Sequence, residues 1–200
     1  MRKNPAGIFH SLAKHVKIGS VQIIPQAKDA CKMFLRGGAS VFSMTLIAVG
    51  KCKEKFYLDA VREYEKRLGA YCKFRVLELP EVLLGENPSP SEIENALKKE
   101  AETVRKHIPK GAFFCVFTPE GDLLSSEDLA KTLGKVKVSG KNEACFLIGS
   151  SFGMAEELKK EANLRLSMGR MTFPHHLFRV MATEQLYRAE AIQAGSRYHK

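Results

Sequence analysis

The 200-residue sequence lacks any apolar run of the roughly 18–20 residues that a membrane-spanning helix needs. It also lacks a C-x-x-C pair. The five cysteines are isolated, and the six histidines are scattered apart from His175-His176, so no set has the spacing of a zinc site. We therefore expect no membrane span and no metal. The odd number of isolated cysteines favours a reducing compartment, the cytoplasm, over a disulfide framework.

Several catalytic signatures are missing as well. The sequence contains neither a P-loop nor a G-x-G-x-x-G motif, which argues against an unrelated nucleotide-binding α/β enzyme. It contains no convincing Ser/His/Asp or Cys/His triad and no paired-carboxylate signature. The chemistry must therefore be sought in other features of the chain.

Acidic residues are scarce at the start of the chain. Residues 1–43 contain seven Lys or Arg but only one acid, Asp29, so they supply +6 of the formal net charge of +10. They also show no sustained apolar period, whereas a clean apolar strand begins at Met44. We predict an N-terminal extension over 1–43, upstream translated or disordered, and one domain over 44–200 that starts at Met44. A transit peptide is the alternative, since it would also be basic and acid-poor.

From Met44 onward, short apolar strands alternate with amphipathic helices. This order predicts an α/β fold with a mostly parallel sheet flanked by helices. We expect a capping box at Ser89 to start one of the helices. The predicted strands are 45–49, 73–79, 112–117, 143–148 and 164–166, and the predicted helices are 55–68, 90–107, 125–133, 155–162 and about five turns after Pro174.

The helix after Pro174 has an unusual apolar arc. We expect its buried face to hold Leu177, Val180, Met181, Tyr187, Ala191 and Ile192. Glu184, Gln185 and Arg188 point into the same arc and need polar partners there. The arc therefore indicates a polar interface or the wall of an active site. An ordinary Glu184–Arg188 ion pair within the helix is the simpler explanation for two of these residues.

Three loops follow the carboxyl ends of predicted strands: 117–121, 149–153 and 166–173. In a parallel sheet the carboxyl ends of the strands meet at one edge, where ligands commonly bind. Together the loops could enclose a small molecule, although an ordinary turn is the simpler interpretation of each loop alone. The basic tail 197–200 is either a solvated terminus or an RNA contact.

The chain resembles one known family in several blocks of residues. The blocks are Met44–Lys51, Glu63–Leu68, Leu124–Ala130, Phe146–Gly149, Met171–His175, Glu184–Arg188 and Tyr198–Lys200. In these it is similar to the RlmH family, 23S ribosomal RNA pseudouridine N3-methyltransferases of the SPOUT class. The resemblance spans Met44 to Lys200 and is most specific in the C-terminal block.

The resemblance implies a SPOUT-type α/β-knot with a C-terminal trefoil knot, in a homodimer that binds S-adenosylmethionine. It implies methylation of N3 of a pseudouridine in ribosomal RNA within the assembled ribosome. The modest charge of residues 44–200 fits a protein that depends on that assembly rather than on free RNA. By position, the cofactor site comprises Phe117, Gly149, Met168, Gly169, Arg170, Met171, Thr172 and Phe173.

Three residues are candidates for catalysis, because the N3 proton of the base must leave during methylation. We assign proton handling to His199 and stacking on the base, or its orientation, to Tyr198. Arg179, or else Arg188, is expected to hold phosphate or developing negative charge.

The chain departs from the common family pattern at three positions. It has Ser150 where a second glycine is usual, Gly169 where serine is usual and Arg197 where proline is frequent. We expect a negative φ at Ser150 and altered affinity for the cofactor, with function retained. Ser150 and Gly169 leave one alternative open, a non-catalytic ribosome-associated RNA-binding factor. A second alternative is a SPOUT methyltransferase that acts on transfer RNA.

Overall fold

The protein is described here by a computed structural model, which covers residues 41–196 and 198. Strands and helices alternate along these residues as predicted. The strands are β1 (Ser43–Val49), β2 (Lys73–Leu79), β3 (Phe113–Leu123), β4 (Glu143–Ile148) and β5 (Leu164–Ser167), and the helices are α1 (Lys55–Leu68), α2 (Pro90–Arg105), α3 (Ser126–Val138), α4 (Glu156–Glu161) and α5 (His175–Gln193).

The five strands form a single parallel sheet in the order β2-β1-β4-β3-β5. Strands β1 and β4 occupy its centre and are almost wholly buried, which explains their continuous apolar sequences. Because all strands run in one direction, the carboxyl ends of β1, β3, β4 and β5 lie along the same edge. That edge carries the three loops that the sequence singles out.

Helices cover both faces of the sheet. On one face, α1 and α3 pack against α5, and the core includes Leu68, Leu133, Phe146 and Leu186. On the other face, residues of α2 and α4 pack against Ile47, Val116 and Leu147. None of the helices in the described part of the chain is both long and apolar enough to cross a bilayer.

Most element boundaries agree with the sequence prediction. Helix α1 and strand β2 have the predicted bounds, and Ser89 forms the predicted capping box with Glu92. Three details were wrong. Helix α2 ends before His107, α3 continues through Gly134 to Val138, and β3 extends beyond Phe117.

Beyond Phe117, strand β3 stays beside β5 after an irregularity in register. Leu166 of β5 is paired with both Phe117 and Asp122. Gly121 lies so close to β5 that a Cβ atom there would come within 2.7 Å of the Arg165 carbonyl group. This segment was predicted as a loop, because its Pro and Gly resemble turn residues. Pairing with β5 keeps it extended instead.

The buried face of α5 differs from the predicted arc. Its buried residues are Arg179, Ala182, Thr183, Leu186, Ala189, Glu190 and Ala191, of which only Ala191 was expected. The charged members are buried because each has a partner: Arg179 pairs with Glu78, and Glu190 pairs with Lys137. The apolar residues Ala182, Leu186 and Ala189 of the same face belong to the core on that side of the sheet. The predicted arc is therefore left largely half-exposed.

The three polar residues of that arc do find partners within the chain. The Arg188 guanidinium pairs with Glu184 at 2.6 Å, as expected for this spacing. Gln185 donates to Glu184 at 2.7 Å and accepts a hydrogen bond from Ser126 at 2.8 Å.

The first strand begins one residue before Met44, the predicted start of the domain. Strand β1 begins at Ser43, whose backbone amide donates to the Asn142 carbonyl group at 2.9 Å. Phe42 packs against the core, and the Lys137 ammonium lies 4.9 Å from its ring centroid. The rest of the predicted extension, residues 1–40, lies outside the described residues.

Candidate active site at the carboxyl edge of the sheet

A cavity of about 360 Å³ opens between the carboxyl ends of β3, β4 and β5. All three loops contribute to it. Apolar side chains, among them Ile148, Leu166 and Phe178, form part of its wall beside loop backbone. Seven of the eight predicted cofactor residues line it, and Arg170 does not. The seven are Phe117, Gly149, Met168, Gly169, Met171, Thr172 and Phe173.

The turn after β4 is held closed by its own backbone. The Ser150 amide donates to the Gly153 carbonyl group at 2.8 Å, and the Gly153 amide donates to the Ser150 carbonyl group at 2.9 Å. A Cβ atom on Gly149 would lie only 2.3 Å from the Gly153 oxygen, so no side chain fits there. Glycine at 149 is thus needed for this tight turn, and the turn forms one wall of the cavity.

The two departures inside the cavity have structural explanations. Ser150 has the expected negative φ, since no non-glycine residue among those described has a positive φ. Its hydroxyl group donates to the Gly153 carbonyl group at 3.3 Å. Gly169 has a φ of +129°, a conformation that suits glycine and would strain a serine. The Ser167 hydroxyl group bonds to both the amide and the carbonyl group of Gly169.

Two neighbouring carboxylates, of Glu81 and Glu100, accept hydrogen bonds from backbone amides near the 149–153 turn. The Ser151 amide donates to Glu81 at 2.9 Å. Glu100 is 6% exposed and accepts from the Val82 amide at 2.8 Å. Burial raises the pKa of Glu100, and hydrogen bonds from Val82 and Ser150 oppose that rise. The segment after β2 is therefore tied to the cavity through two acids that the sequence analysis did not identify.

An ion pair stands at one side of the cavity. The Lys159 ammonium of α4 lies 2.5 Å from Glu120 and 2.7 Å from Glu156. Hydrogen bonds from Lys159 and Thr118 lower the pKa of Glu120 to about 2. Glu120 therefore remains a carboxylate at physiological pH.

His175 provides a pH-sensitive contact next to the cavity. Burial lowers the pKa of this half-buried imidazole, Arg179 and His176 lower it further, and Glu81 and a hydrogen bond to the Gly149 backbone oppose the change. The unfolded chain thus gains this proton at a higher pH than the folded chain. The free energy of unfolding should therefore fall as the pH drops through the ordinary histidine range, about 6.5.

Urea denaturation of the wild type and of His175→Gln, above and below that range, would measure this effect. We expect the variant to lose less stability than the wild type as the pH falls. An equal loss in both proteins would contradict the assignment.

Tyr198 lies away from the cavity of its own chain. Its ring packs edge-on against Tyr187 at 4.6 Å between centroids, and the Arg188 guanidinium lies 4.8 Å from its centroid. Its hydroxyl group donates to Glu184 at 3.3 Å. Burial and a hydrogen bond with Tyr64 raise the pKa of Tyr198 to about 12, so it stays a neutral phenol. His199 lies outside the described residues.

Arg179 is also not part of the cavity. Its guanidinium is buried, where Nη1 lies 2.6 Å from Glu78 and Nη2 donates to the Gly50 carbonyl group at 2.9 Å. Its Nε is the one buried side-chain polar atom without a partner among the described residues. Within this chain, the charged guanidinium of Arg179 contacts the end of β1. A direct catalytic role remains a prediction that this arrangement does not favour.

Comparison with known proteins identifies the family of the chain. The family model described as "Predicted SPOUT methyltransferase" matches residues 42–199. The chain belongs to the SPOUT methyltransferase family. This match and the observed sheet confirm the predicted SPOUT-type α/β-knot class.

The matches to individual relatives of this SPOUT chain cover nearly the full length of those relatives. It is 42% identical over 157 residues to "Ribosomal RNA large subunit methyltransferase H" of Moorella thermoacetica, covering 78% of this chain and 98% of that protein. It is 44% identical over 160 residues to the "Putative ribosomal RNA large subunit methyltransferase H" of Methanococcus vannielii, covering 79% and 99%. The predicted resemblance is thereby confirmed.

In this SPOUT chain, the cavity at the ends of β3, β4 and β5 is also lined by residues that the sequence analysis missed. Met154, Lys159, His175 and Phe178 line it although none was predicted as a cofactor residue. They come from the helices α4 and α5 and the approach to α4, rather than from the strand-end loops. Strand ends can be located from apolar runs, but the orientation of a helix over such an edge depends on packing.

Proposed function

We propose that the chain transfers a methyl group from S-adenosylmethionine to N3 of a pseudouridine in the RNA of the large ribosomal subunit. Its substrate is the assembled ribosome, in the cytoplasm. One observation carries the proposal: three separate loops enclose a single cavity, and seven residues predicted from the family resemblance line it. The names of the relatives support the choice of RNA.

The cavity suits the cofactor in size and lining. Its volume of about 360 Å³ lies within the usual range of small-molecule sites, about 300–1,000 Å³. Phe117, Phe178 and Met168 offer an apolar wall for a flat adenine, and the backbone of the 149–153 turn lies beside it. The side chain that Ser150 adds is directed to the Gly153 carbonyl group. This arrangement supports an enzyme over the non-catalytic alternative.

When bound, S-adenosylmethionine supplies a methyl group on a sulfonium that is already electrophilic. The task of the chain is then to hold the base in line and to remove its N3 proton. We assign the proton to His199. Tyr198, as a neutral phenol, orients or stacks on the base. Arg179 acts on the site indirectly, because it fixes the end of β1 through Gly50.

Separation of Tyr198 from the cavity suggests that a second subunit completes the site. Tyr198 packs beside Tyr64 and Glu184, and these two residues line a second groove of about 460 Å³. Half-exposed Val180 and Met181 and the 67% exposed Leu123 share that groove. Apolar side chains left open in this way favour burial against a second copy. We therefore propose a homodimer in which each tail serves the partner's cavity.

The function is tested on the intact chain in two steps. Isothermal titration with S-adenosylmethionine should show saturable binding. Assembled ribosomes from cells that lack the modification should then gain one methyl group at a large-subunit pseudouridine, detected by mass spectrometry of digested RNA. Methylation of transfer RNA instead would reject the proposed substrate, and absence of cofactor binding by folded protein would reject the enzyme.

His199→Ala should lose about 100-fold or more in single-turnover methylation, the usual contribution of a positioned general base. Cofactor affinity should be unchanged, because the change alters none of the seven loop residues assigned to the cofactor. Rapid-quench measurement with ribosomes in the presence of saturating cofactor checks the rate. A full wild-type rate would remove His199 from the mechanism.

Subunit mixing locates the tail. A Gly149→Val chain keeps its tail but loses the cofactor site, whereas a His199→Ala chain keeps the cofactor site but loses the base. If each tail serves the partner, mixed dimers contain one complete site and regain activity after the two inactive proteins are co-refolded. If mixing does not restore activity although mixed dimers form, the tail acts within its own subunit.

A further inference from the structure

Three side chains with different donor atoms meet beside the end of β1. Cys52 and Glu54 lie in the short loop between β1 and α1, and His176 is the second residue of α5. His176 Nδ1 is 2.7 Å from Glu54 Oε2, and Cys52 Sγ is 3.7 Å from the same oxygen. One nitrogen, one oxygen and one sulfur lie within 4.8 Å of one another. The function proposed above uses none of them.

The surroundings hold this cluster in place. The Cys52 amide donates to Glu78 Oε1 at 2.9 Å, and the same oxygen receives Arg179 Nη1 at 2.6 Å. Arg179 belongs to α5, as does His176, so one carboxylate connects the loop to the helix that carries the histidine. The Tyr57 ring also lies edge-on to His176, at 6.1 Å between centroids. The donors thus sit on backbone whose relative position is fixed.

This donor set suits a borderline transition metal. Hard cations such as Mg²⁺ and Ca²⁺ prefer oxygen alone, whereas Zn²⁺ takes thiolate, imidazole and carboxylate together. Zinc bonds of about 2.0–2.3 Å in a tetrahedron place neighbouring donors roughly 3.3–3.8 Å apart. The Cys52–Glu54 distance is already in that range. The Glu54–His176 contact must widen by only about 0.6 Å, which small side-chain rotations allow.

We propose that Cys52, Glu54 and His176 form a binding site for a divalent transition-metal cation, of which Zn²⁺ is the best match. Glu54 is exposed, and Cys52 and His176 are only partly buried, so water has access to a fourth position. On binding, the Cys52 thiol releases its proton to solvent and the imidazole keeps a single proton on Nε2, leaving Nδ1 for the metal. The ion would join the β1–α1 loop to the first turn of α5.

This site was hidden in the sequence because 122 positions separate Glu54 from His176. It does not depend on the methyltransferase proposal, since none of its three donors lines the cofactor cavity. A bound ion would still affect the cofactor cavity. His176 follows His175, which does line the cavity, so a bound ion would stabilise the start of α5 against the end of β1.

Cobalt(II) titration of the full-length, chelator-treated protein tests the site. Cobalt replaces zinc in such sites and reports a thiolate ligand through a charge-transfer absorption band. We expect Cys52→Ser to lose that band and one equivalent of bound cobalt, and His176→Gln to bind at least about tenfold more weakly. Addition of Zn²⁺ should displace the cobalt and raise the thermal unfolding midpoint of the wild type.

Matched variants keep the outcome clear. His107→Gln removes a histidine just after the end of α2 whose Nδ1 is 2.9 Å from the Thr103 carbonyl oxygen, and it should bind cobalt as the wild type does. Comparison with Cys52→Ser subtracts any metal held by donors elsewhere, including Cys31. If Cys52→Ser and His176→Gln retain the stoichiometry and spectrum of the wild type, the cluster is an ion pair only and the proposal fails. Catalytic activity is not needed for any of these readings.

Discussion

Gly149→Ala should weaken the affinity for S-adenosylmethionine by about 100-fold or more. The added Cβ atom would lie 2.3 Å from the carbonyl oxygen of Gly153, well inside contact distance. That oxygen is held by the Ser150 amide at 2.8 Å, so the turn must open to admit even a methyl group. An opened turn loses its contacts with the cofactor, and a 100-fold loss of affinity corresponds to about 2.8 kcal/mol of such contacts. Isothermal titration measures the effect directly.

A second alanine variant separates this local effect from a general one. Gly134 lies inside α3, and a Cβ atom there would meet only the Gln193 side chain, at 3.6 Å. Gly134→Ala should leave cofactor binding unchanged and stabilise the helix by about 0.5–1 kcal/mol. Thermal unfolding of both variants shows whether each is folded. Tight binding by a folded Gly149→Ala protein would mean that the cofactor lies elsewhere.

The sequence was informative where a local rule determines the structure. The capping box at Ser89 depends on residues three positions apart, and the structure contains both of its hydrogen bonds. The cavity loops could be located because parallel strands must end at one edge, and short apolar runs mark those strands. Gly149 and Phe117 were found in this way. The third loop, 166–173, was located in the same way, and the resemblance to known proteins then supplied its individual cofactor residues and the identity of the ligand.

The sequence was misleading where ion pairs compensate buried charge. A hydrophobic arc predicted the wrong face of α5, because Arg179 and Glu190 count as surface residues in any such pattern. Their partners, Glu78 and Lys137, lie on other elements and cannot be assigned from spacing. The same limitation applies to Glu100, whose buried carboxylate supports the segment after β2. Tertiary pairing, not local propensity, decides these positions.

Arg179→Met should destabilise the protein by about 3 kcal/mol, at the lower end of the range for breaking a buried ion pair. The change removes the bond to Glu78 and the bond to the Gly50 carbonyl group. The Arg179 side chain is 3% exposed and that of Glu78 is 33% exposed, so the remaining carboxylate regains some water and the cost stays moderate. Urea denaturation at neutral pH measures the change in the free energy of unfolding.

The surface pair of Arg62 with Asp59 offers a matched control. Its side chains are 68% and 53% exposed, so Arg62→Met should change stability by no more than about 0.5 kcal/mol. Arg179→Lys keeps the charge but cannot bridge Glu78 and Gly50 with one planar group, and we expect most of the loss to persist. A change within the control range in Arg179→Met would show that the buried pair contributes little.

Methylation by the same variants distinguishes the two roles considered for Arg179. If it positions the end of β1, the rate per folded molecule should fall modestly, and the affinity for cofactor should fall with it as β1 and α5 loosen. If it touches the RNA or the reacting base, Arg179→Met should lose 100-fold or more in single-turnover rate at unchanged cofactor affinity. The commitment of both Nη atoms to Glu78 and the β1 carbonyl groups favours the first result. If the methylation rate falls while the free energy of unfolding and the cofactor affinity stay unchanged, the guanidinium must instead leave Glu78 during the reaction.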